Sequence, residues 1–432
     1  MIPFLRASDS SEKIVVQLST EKKLLPLYVN EFTGEGFDQS YLNKLKNVLD
    51  FDLNHNGMTE VIRLTPMQEK RLKGKSDELI AKELGVFYLV NVKIKDKQIS
   101  AKLICINSQI IKGVDGIPLT GDLNKDRREI HKFSDLIHKE LFGKAGIAST
   151  KILYTVRTSQ GTKFQSEIFE CDYDGSNARQ ITKSGDYCVT PQYIPPEKEH
   201  SAKSFFYVSY ATGQPKIFIG SLKDGSSQRF SYIAGNQLMP VSSRQRDKVA
   251  FVSDVSGNPD LYLQPFRPET GAFGKLEQIF ANPQGTQGSP SFSPDGKQVA
   301  FVSNKDGSAK IYLLDLTSKT KTPKLLTKHN QENTAPCFSP DGTKIAYCAK
   351  SKDFRQIWVY DLVKQEERQL TEGPLNKENP SFAPNSLHIV FNTTDSQNCE
   401  LYMINLNQPK TVKISSGSGE KHYPSWEPLS LY

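Results

Sequence analysis

The sequence predicts an α/β N-terminal domain followed by an all-β six-bladed β-propeller with a split closing blade. Three observations carry this prediction. A unit of 44 to 50 residues repeats through residues 150–432, the repeat is out of phase with the ends of that region, and residues 1–143 show none of it.

The repeat is marked by a Pro inside phrases such as "SPSFSPDG" and "APCFSPDG", at Pro191, Pro240, Pro290, Pro336, Pro380 and Pro424. A second mark is a β-rich run of the type "IYLLDL", beginning at Ile168, Ile217, Leu261, Ile311, Ile357 and Leu401. A third, "RQIT", "KLLT" or "RQLT", ends at Thr182, Thr327 and Thr371. Short runs of β-branched and aromatic residues separated by turn residues are the pattern of a four-stranded blade. The Asp-Gly of "SPDG" reads as turn chemistry. Pro sets φ, Asp accepts local backbone hydrogen bonds, and Gly tolerates positive φ. Other units carry "APNS" (383–386) or "SSRQRD" (242–247) there, so Asp295 and Asp341 are not expected to be catalytic carboxylates.

The phase of the repeat predicts ring closure. The first "IYLLDL"-type run precedes the first Pro mark, and the last Pro mark has no such run after it. Five units are whole and one is divided, so Tyr423–Leu429 should complete the blade begun by Lys151–Thr158. A closed ring abolishes exposed strand edges, whereas an open stack has no reason to divide a unit.

Upstream, strand-like runs at Ile14–Gln17, Leu24–Val29, Thr59–Leu64, Val86–Ile94 and Gln98–Asn107 alternate with helical segments. Tyr41, Leu42, Leu45, Val48 and Leu49 form one apolar stripe; Ile130, Phe133, Ile137 and Leu141 form another. Gly143 closes the second helix. The expected organisation is a flexible segment at 1–13, an α/β domain at 14–143, a linker at 144–150 and the propeller at 151–432.

Composition narrows the function. With 37% hydrophobic and 24% charged residues the chain reads as globular, and its net charge of +7 is mild and dispersed. Nucleic-acid binding is not expected, and the basic cluster "KRLKGK" from Lys70 reads as a solvated helix face. No apolar run approaches a membrane span. The six cysteines (Cys105, Cys171, Cys188, Cys337, Cys348 and Cys399) include no CxxC and no His at metal spacing, so neither a zinc site nor a disulfide framework is expected. The N-terminus "MIPFLRASDSSEK" lacks the apolar core of a signal peptide, which suits either a cytoplasmic chain or a start near a mature end. Asp52, Asn54, Asn56 and Gly57 occupy calcium-loop positions, but Arg63 stands where the bidentate Glu belongs, so an ordinary turn is expected. His131 and His138 read as a solvated helix face. No G-x-S-x-G, HExxH or Gly-rich phosphate loop is present. The reading therefore assigns no catalytic residue, metal or cofactor and favours binding. The alternative is a propeller enzyme or accessory module, such as a polysaccharide lyase or peptidase-associated domain, with Lys, His or Arg lining the channel.

Binding is expected at the axial mouth, on the loops before each Pro mark: 183–190, 234–239, 281–289, 328–335, 373–379 and 416–423. These are rich in Asn, Gln, Gly and Ser, with Met239 and Tyr423 as apolar anchors for a protein partner.

The "FSPDG…IAF…IYxxDL…RQLT" blades, the α/β domain before them, the junction "TKILYTVRTSQGTKFQSEIFECDYDGSNARQIT" (150–182) and the ending "YPSWEP" together resemble the TolB family of the bacterial Tol–Pal system. The resemblance covers nearly the whole chain. It implies a non-enzymatic, monomeric protein of the periplasm, peripheral to membranes, that supports outer-membrane integrity and envelope constriction during division. It implies binding of the lipoprotein Pal at the propeller mouth, through Asn236, Gln237, Met239, Thr286, Gln287 and Ser289, with Asn333, Thr334, Glu378, Asn379, His422 and Tyr423 in the other units. Some relatives carry His where this chain has Asn236. It implies binding of TolA through the N-terminal segment, at Ser11, Glu12, Lys13 and Ile14. Other outer-membrane lipoproteins or porins are further partners on the same grounds.

Overall fold

The computed structural model of the chain describes residues 23–160, 163–197, 201–395 and 399–429. The expected strand Ile14–Gln17 and the TolA positions Ser11 to Ile14 lie outside the described residues.

The α/β domain is one mixed sheet. Its main strands lie in the spatial order Thr59–Val61, Leu25–Val29, Tyr88–Lys95, Gln98–Cys105, Ile110–Pro118; the first three are parallel and the rest antiparallel. Helices α1 (Gln39–Asn54), α2 (Pro66–Leu72), α3 (Asp77–Leu84) and α4 (Leu123–Phe142) surround it. Both predicted stripes face the sheet. Leu42, Leu45, Val48 and Leu49 of α1 and Ile130, Phe133 and Ile137 of α4 are buried against Val90, Val92 and Leu103. Periodicity did not reveal α2, α3 or the strand Ile110–Pro118. Each helix is about two turns long, too short for a stripe, and the edge strand leaves Ile110 and Ile111 exposed.

Residues 151–429 form six blades. The closing blade pairs Glu420–Trp426 with Lys151–Gln160, then Lys163–Asp172 and Arg179–Gln180, with Trp426 opposite Ile152 and Glu420 opposite Arg157. Blade 2 spans 188–229, blade 3 spans 237–280, blade 4 spans 287–325, blade 5 spans 333–369 and blade 6 spans 376–413. The ring therefore closes through the split blade.

Each repeat mark has a physical role. Ile168, Ile217, Leu261, Ile311, Ile357 and Leu401 each have no exposed surface, one per blade. The hydroxyls of Thr182, Thr327 and Thr371 accept the backbone N–H of Ile168, Ile311 and Ile357 at 2.8, 3.1 and 2.9 Å, and Ser415 does the same for Leu401 at 2.8 Å. A buried donor is thereby satisfied next to a fully apolar neighbour. In the "SPDG" turns, Asp295 accepts Ser293 Oγ and Lys297 N, and Asp341 accepts Ser339 Oγ and Thr343 N. Gly296 and Gly342 have φ of 67° and 72°, and Arg246 and Ser386 adopt positive φ at the same place. The Asp-Gly is a hairpin turn.

Six apolar clusters fill the six seams between neighbouring blades, for example Phe206, Phe230, Phe251 and Phe266 between blades 2 and 3. The seam between the α/β domain and the propeller differs. His131 and His138, expected on a solvated face, are 1% and 6% exposed. The reason is that α4 has two covered sides: its apolar stripe meets the sheet, and its histidine side meets the propeller. His131 Nδ1 lies 2.9 Å from Asp52 Oδ2 of α1, and Tyr173 of the closing blade donates its hydroxyl to Asp52 Oδ1 at 2.8 Å. Arg127 pairs with Asp174 in the same turn, and Trp426 Nε1 donates to Thr150 Oγ1 at 2.8 Å. Burial opposes charge on His131, but Asp52 and then Asp174 outweigh it and push its pKa up to about 9. Burial, with a smaller push from Lys144, holds His138 down at about 4. Asp52 is thus spent on the interface. Asn54 and Asn56 accept backbone N–H groups of Val61, Met58 and Thr59, as a turn requires.

Candidate functional site: the channel mouth

The inner strands of the six blades begin at Cys188, Gln237, Gln287, Asn333, Asn376 and Glu420. Most residues expected on entry loops therefore stand on strands, and only Asn236 and Thr286 precede them. Every inner strand carries a one-residue bulge, between Val189 and Gln192, Leu238 and Val241, Gly288 and Ser291, Thr334 and Cys337, Glu378 and Ser381, and His422 and Ser425. At each bulge the residue before the Pro mark takes positive φ: Thr190 (51°), Met239 (53°), Ser289 (45°), Ala335 (50°), Asn379 (55°) and Tyr423 (51°). For non-glycine residues this costs roughly 1–2 kcal/mol each. The following Pro has no N–H to place in the interrupted ladder, so it fits the bulge. A bulge re-aims a side chain, and here six of them converge on the axis.

Those six residues, with the prolines behind them, line an axial chamber of about 150 Å³. Among the described residues, no Asp, Glu, Lys, Arg or His lines it. A second axial chamber of about 160 Å³, deeper along the same strands, has Arg244 as its one charged lining residue among the described residues. Among the described residues, neither chamber is lined by a cluster of Lys, His or Arg. Met239 and Tyr423 remain 39% and 38% exposed at the mouth, as large apolar groups open to a partner. Ser289 N and Oγ lie 3.1 and 3.6 Å from Met239 Sδ, and Asn392 Oδ1 accepts Tyr423 N at 3.2 Å and Asn379 Nδ2 at 2.9 Å.

Two positions earlier, the side chain is directed inward. Gln237, Gln287 and Asn333, expected to contact a partner, are 0%, 5% and 0% exposed. Their amides donate to the loop carbonyls of Ile233, Gly285 and Asn330 at 3.2, 3.2 and 3.0 Å. Lys377 and Lys421 do the same in blade 6 and the closing blade, toward Leu375 and Gly417. These residues tie down the entering loop and are corrected here from contact to support. Amide composition at a mouth cannot separate the two roles, because both use the same donors.

The remaining expected residues lie on the outer ring. Asn236 is held by Asp254 through N and Nδ2, both at 2.6 Å, and Thr286 is exposed with its N–H on Asn304. Thr334 and Glu378 are half-buried; Glu378 accepts Arg355 at 3.2 Å and Thr394 at 2.8 Å. His422 Nε2 lies 3.2 Å from Glu420 Oε2, which also accepts Arg157 Nε at 2.6 Å. Burial lowers the pKa of His422, and burial together with Tyr187 and Glu378 raises that of Tyr423. Sequence reasoning overlooked Arg157, Arg355 and the edge-to-face pair Tyr187–Tyr210, 5.5 Å between centroids. Tyr187 lies inside a loop already marked; the arginines carry no repeat signal.

The family model described as the TolB beta propeller domain matches residues 138–430. A curated TolB homolog of Protochlamydia amoebophila is 50% identical over 394 residues, 88% of this chain and 84% of that protein. A TolB homolog of Chlamydia pneumoniae is 38% identical over 349 residues, 80% of each chain. The crystal structure of TolB from Acinetobacter baumannii superposes with a TM-score of 0.77 at 22% identity, covering 94% of this chain and 97% of that one.

Proposed function

This chain belongs to the TolB family, and from that premise we propose that it is a non-enzymatic periplasmic adaptor of the Tol–Pal system that binds Pal at the propeller mouth. In this reading it engages TolA through the N-terminal segment and supports outer-membrane integrity during division. The observation that carries the reading is the ring of six bulged residues presenting Met239 and Tyr423 over an uncharged chamber. Bulges hold these side chains without a mobile loop, so little ordering entropy is lost on docking. Large, partly exposed apolar groups with hydrogen-bonding neighbours have the makeup of an interface core with a polar rim. The contact set reduces to Met239, Ser289, Asn379, His422 and Tyr423, with Asn236, Thr286, Thr334 and Glu378 around them.

The test is direct binding of purified Pal from the same organism. Met239→Arg together with Tyr423→Ala should weaken binding about 30-fold or more, the equivalent of losing a hot spot. The thermal melt should stay close to that of the unsubstituted protein. Unchanged affinity in a folded variant would sink the mouth assignment.

A further inference from the structure

Sequence spacing offers no histidine partner to any cysteine, yet the fold supplies one beside the mouth. Cys399 Sγ, a Glu420 carboxylate oxygen and a His422 ring nitrogen all lie within 4.8 Å of one another. Glu420 and His422 are two residues apart on the closing strand, so they share a face. Lys421 N donates to Cys399 O at 2.8 Å, which locks that strand against the segment leading into Leu401–Asn405. Cys399 is 4% exposed, while the Glu420 side chain is 37% exposed and leaves a path from solvent.

We propose that Cys399, Glu420 and His422 form a binding site for a zinc-class divalent cation, with water as the fourth ligand. Thiolate, imidazole and carboxylate together select zinc over magnesium or calcium, which prefer all-oxygen sets. A tetrahedral zinc with bonds of about 2.0 to 2.3 Å sets its ligand atoms roughly 3.3–3.8 Å apart, so the triad closes by about an ångström at its widest. The Cys399 thiol proton leaves to solvent as the sulfur–metal bond forms. Arg157 pairs with Glu420. Its Nε donates to Glu420 Oε2, and a ligating carboxylate is ordinarily hydrogen-bonded in this way. The other grouping of this kind, His131 with Asp172 and Asp174, carries no such inference. Arg127 and Arg128 already pair with its carboxylates, and Asp52 holds its histidine.

The site shares His422 with the proposed Pal contacts, and with the His422 and Tyr423 rings 6.0 Å apart a bound cation would fix that corner of the mouth; its own test is metal binding in the absence of Pal. The experiment is a Co²⁺ titration of the full chain after dialysis against a chelator. A thiolate-to-cobalt charge-transfer band saturating at one equivalent, and displaced by Zn²⁺, is expected. Cys399→Ser should abolish the band, and Cys337→Ser should retain it. Glu420→Gln, at a half-exposed position, should weaken Co²⁺ binding at least tenfold while the protein stays folded. No band in the unsubstituted protein, an unchanged band in Cys399→Ser, or unchanged affinity in Glu420→Gln would each overturn the proposal.

Discussion

The seams between blades and the seam between domains solve the same packing problem in opposite ways. Between blades, Ile311, Phe301, Phe391 and their counterparts meet as apolar clusters with almost no exposed surface. Between the α/β domain and the propeller, the centre is a hydrogen-bonded network of titratable groups, His131, Asp52, Asp174 and Arg127, with the Tyr173 hydroxyl. Apolar burial is non-directional, so a repeated unit can use it six times around a ring. A buried ion pair adds little net stability over an apolar replacement but is costly to break, and its hydrogen bonds fix geometry. The blade seams hold the ring together; the domain seam sets how one body sits on the other.

Removing the closing strand should have the largest effect. Deleting residues 420–432 strips Lys151–Gln160 of its inner partner, removes Trp426 from the seam with blade 6 and the Ser425 and Glu427 hydrogen bonds to Tyr193 and Ala202 from the seam with blade 2. Loss of near-ultraviolet circular dichroism and of a cooperative melt is expected; a retained cooperative transition would show that the ring does not depend on closure.

Next come paired substitutions that separate the two seams. Ile311→Ala should cost about 2–5 kcal/mol at every pH, as a cavity in an apolar core does. Asp52→Ala should cost about 3 kcal/mol at pH 6, because it strands a buried charge. A histidine whose folded pKa of about 9 exceeds its ordinary 6.5 contributes stability that is whole below pH 6.5 and lost as pH rises through 9. The Asp52→Ala penalty should therefore fade between those values in denaturant titrations. His138, held at about 4, has the opposite sign and erodes stability as pH falls below 6.5. A penalty for Asp52→Ala that ignores pH would remove the ionic account.

The smallest effect belongs to the polar mark inside an apolar blade. Thr371→Val keeps the shape but leaves the buried Ile357 N–H without its acceptor, at a cost of about 1–3 kcal/mol in the same titrations. A neutral result would mean that another acceptor replaces the hydroxyl.

The mouth shows where sequence reading stopped. Its position, and the exposure of Met239 and Tyr423 there, were legible because the Pro mark repeats and large apolar residues are few in those segments. Gln237, Gln287 and Asn333 were misread because the side chain two places before a bulge lies under the loop rather than over it. Nothing in an isolated segment marks that difference. The bounds of α2, read only as a solvated helix face at Lys70, and the whole of α3 and the edge strand Ile110–Pro118 were lost for a related reason: each is short or half-exposed and leaves no periodic trace.

What repeats was settled by the sequence alone: six blades, their turns and the split that closes the ring. Those features rest on local geometry and on alternation along a strand, which neighbouring residues encode. The fate of the single-copy polar side chains was decided only by the tertiary structure. Asp52 meets His131 across 79 residues and Tyr173 across 121, and Cys399 meets Glu420 and His422 through two different blades. Charge and hydrogen bonding depend on which groups end up within a few ångströms, and that distance is set by the whole fold rather than by spacing along the chain.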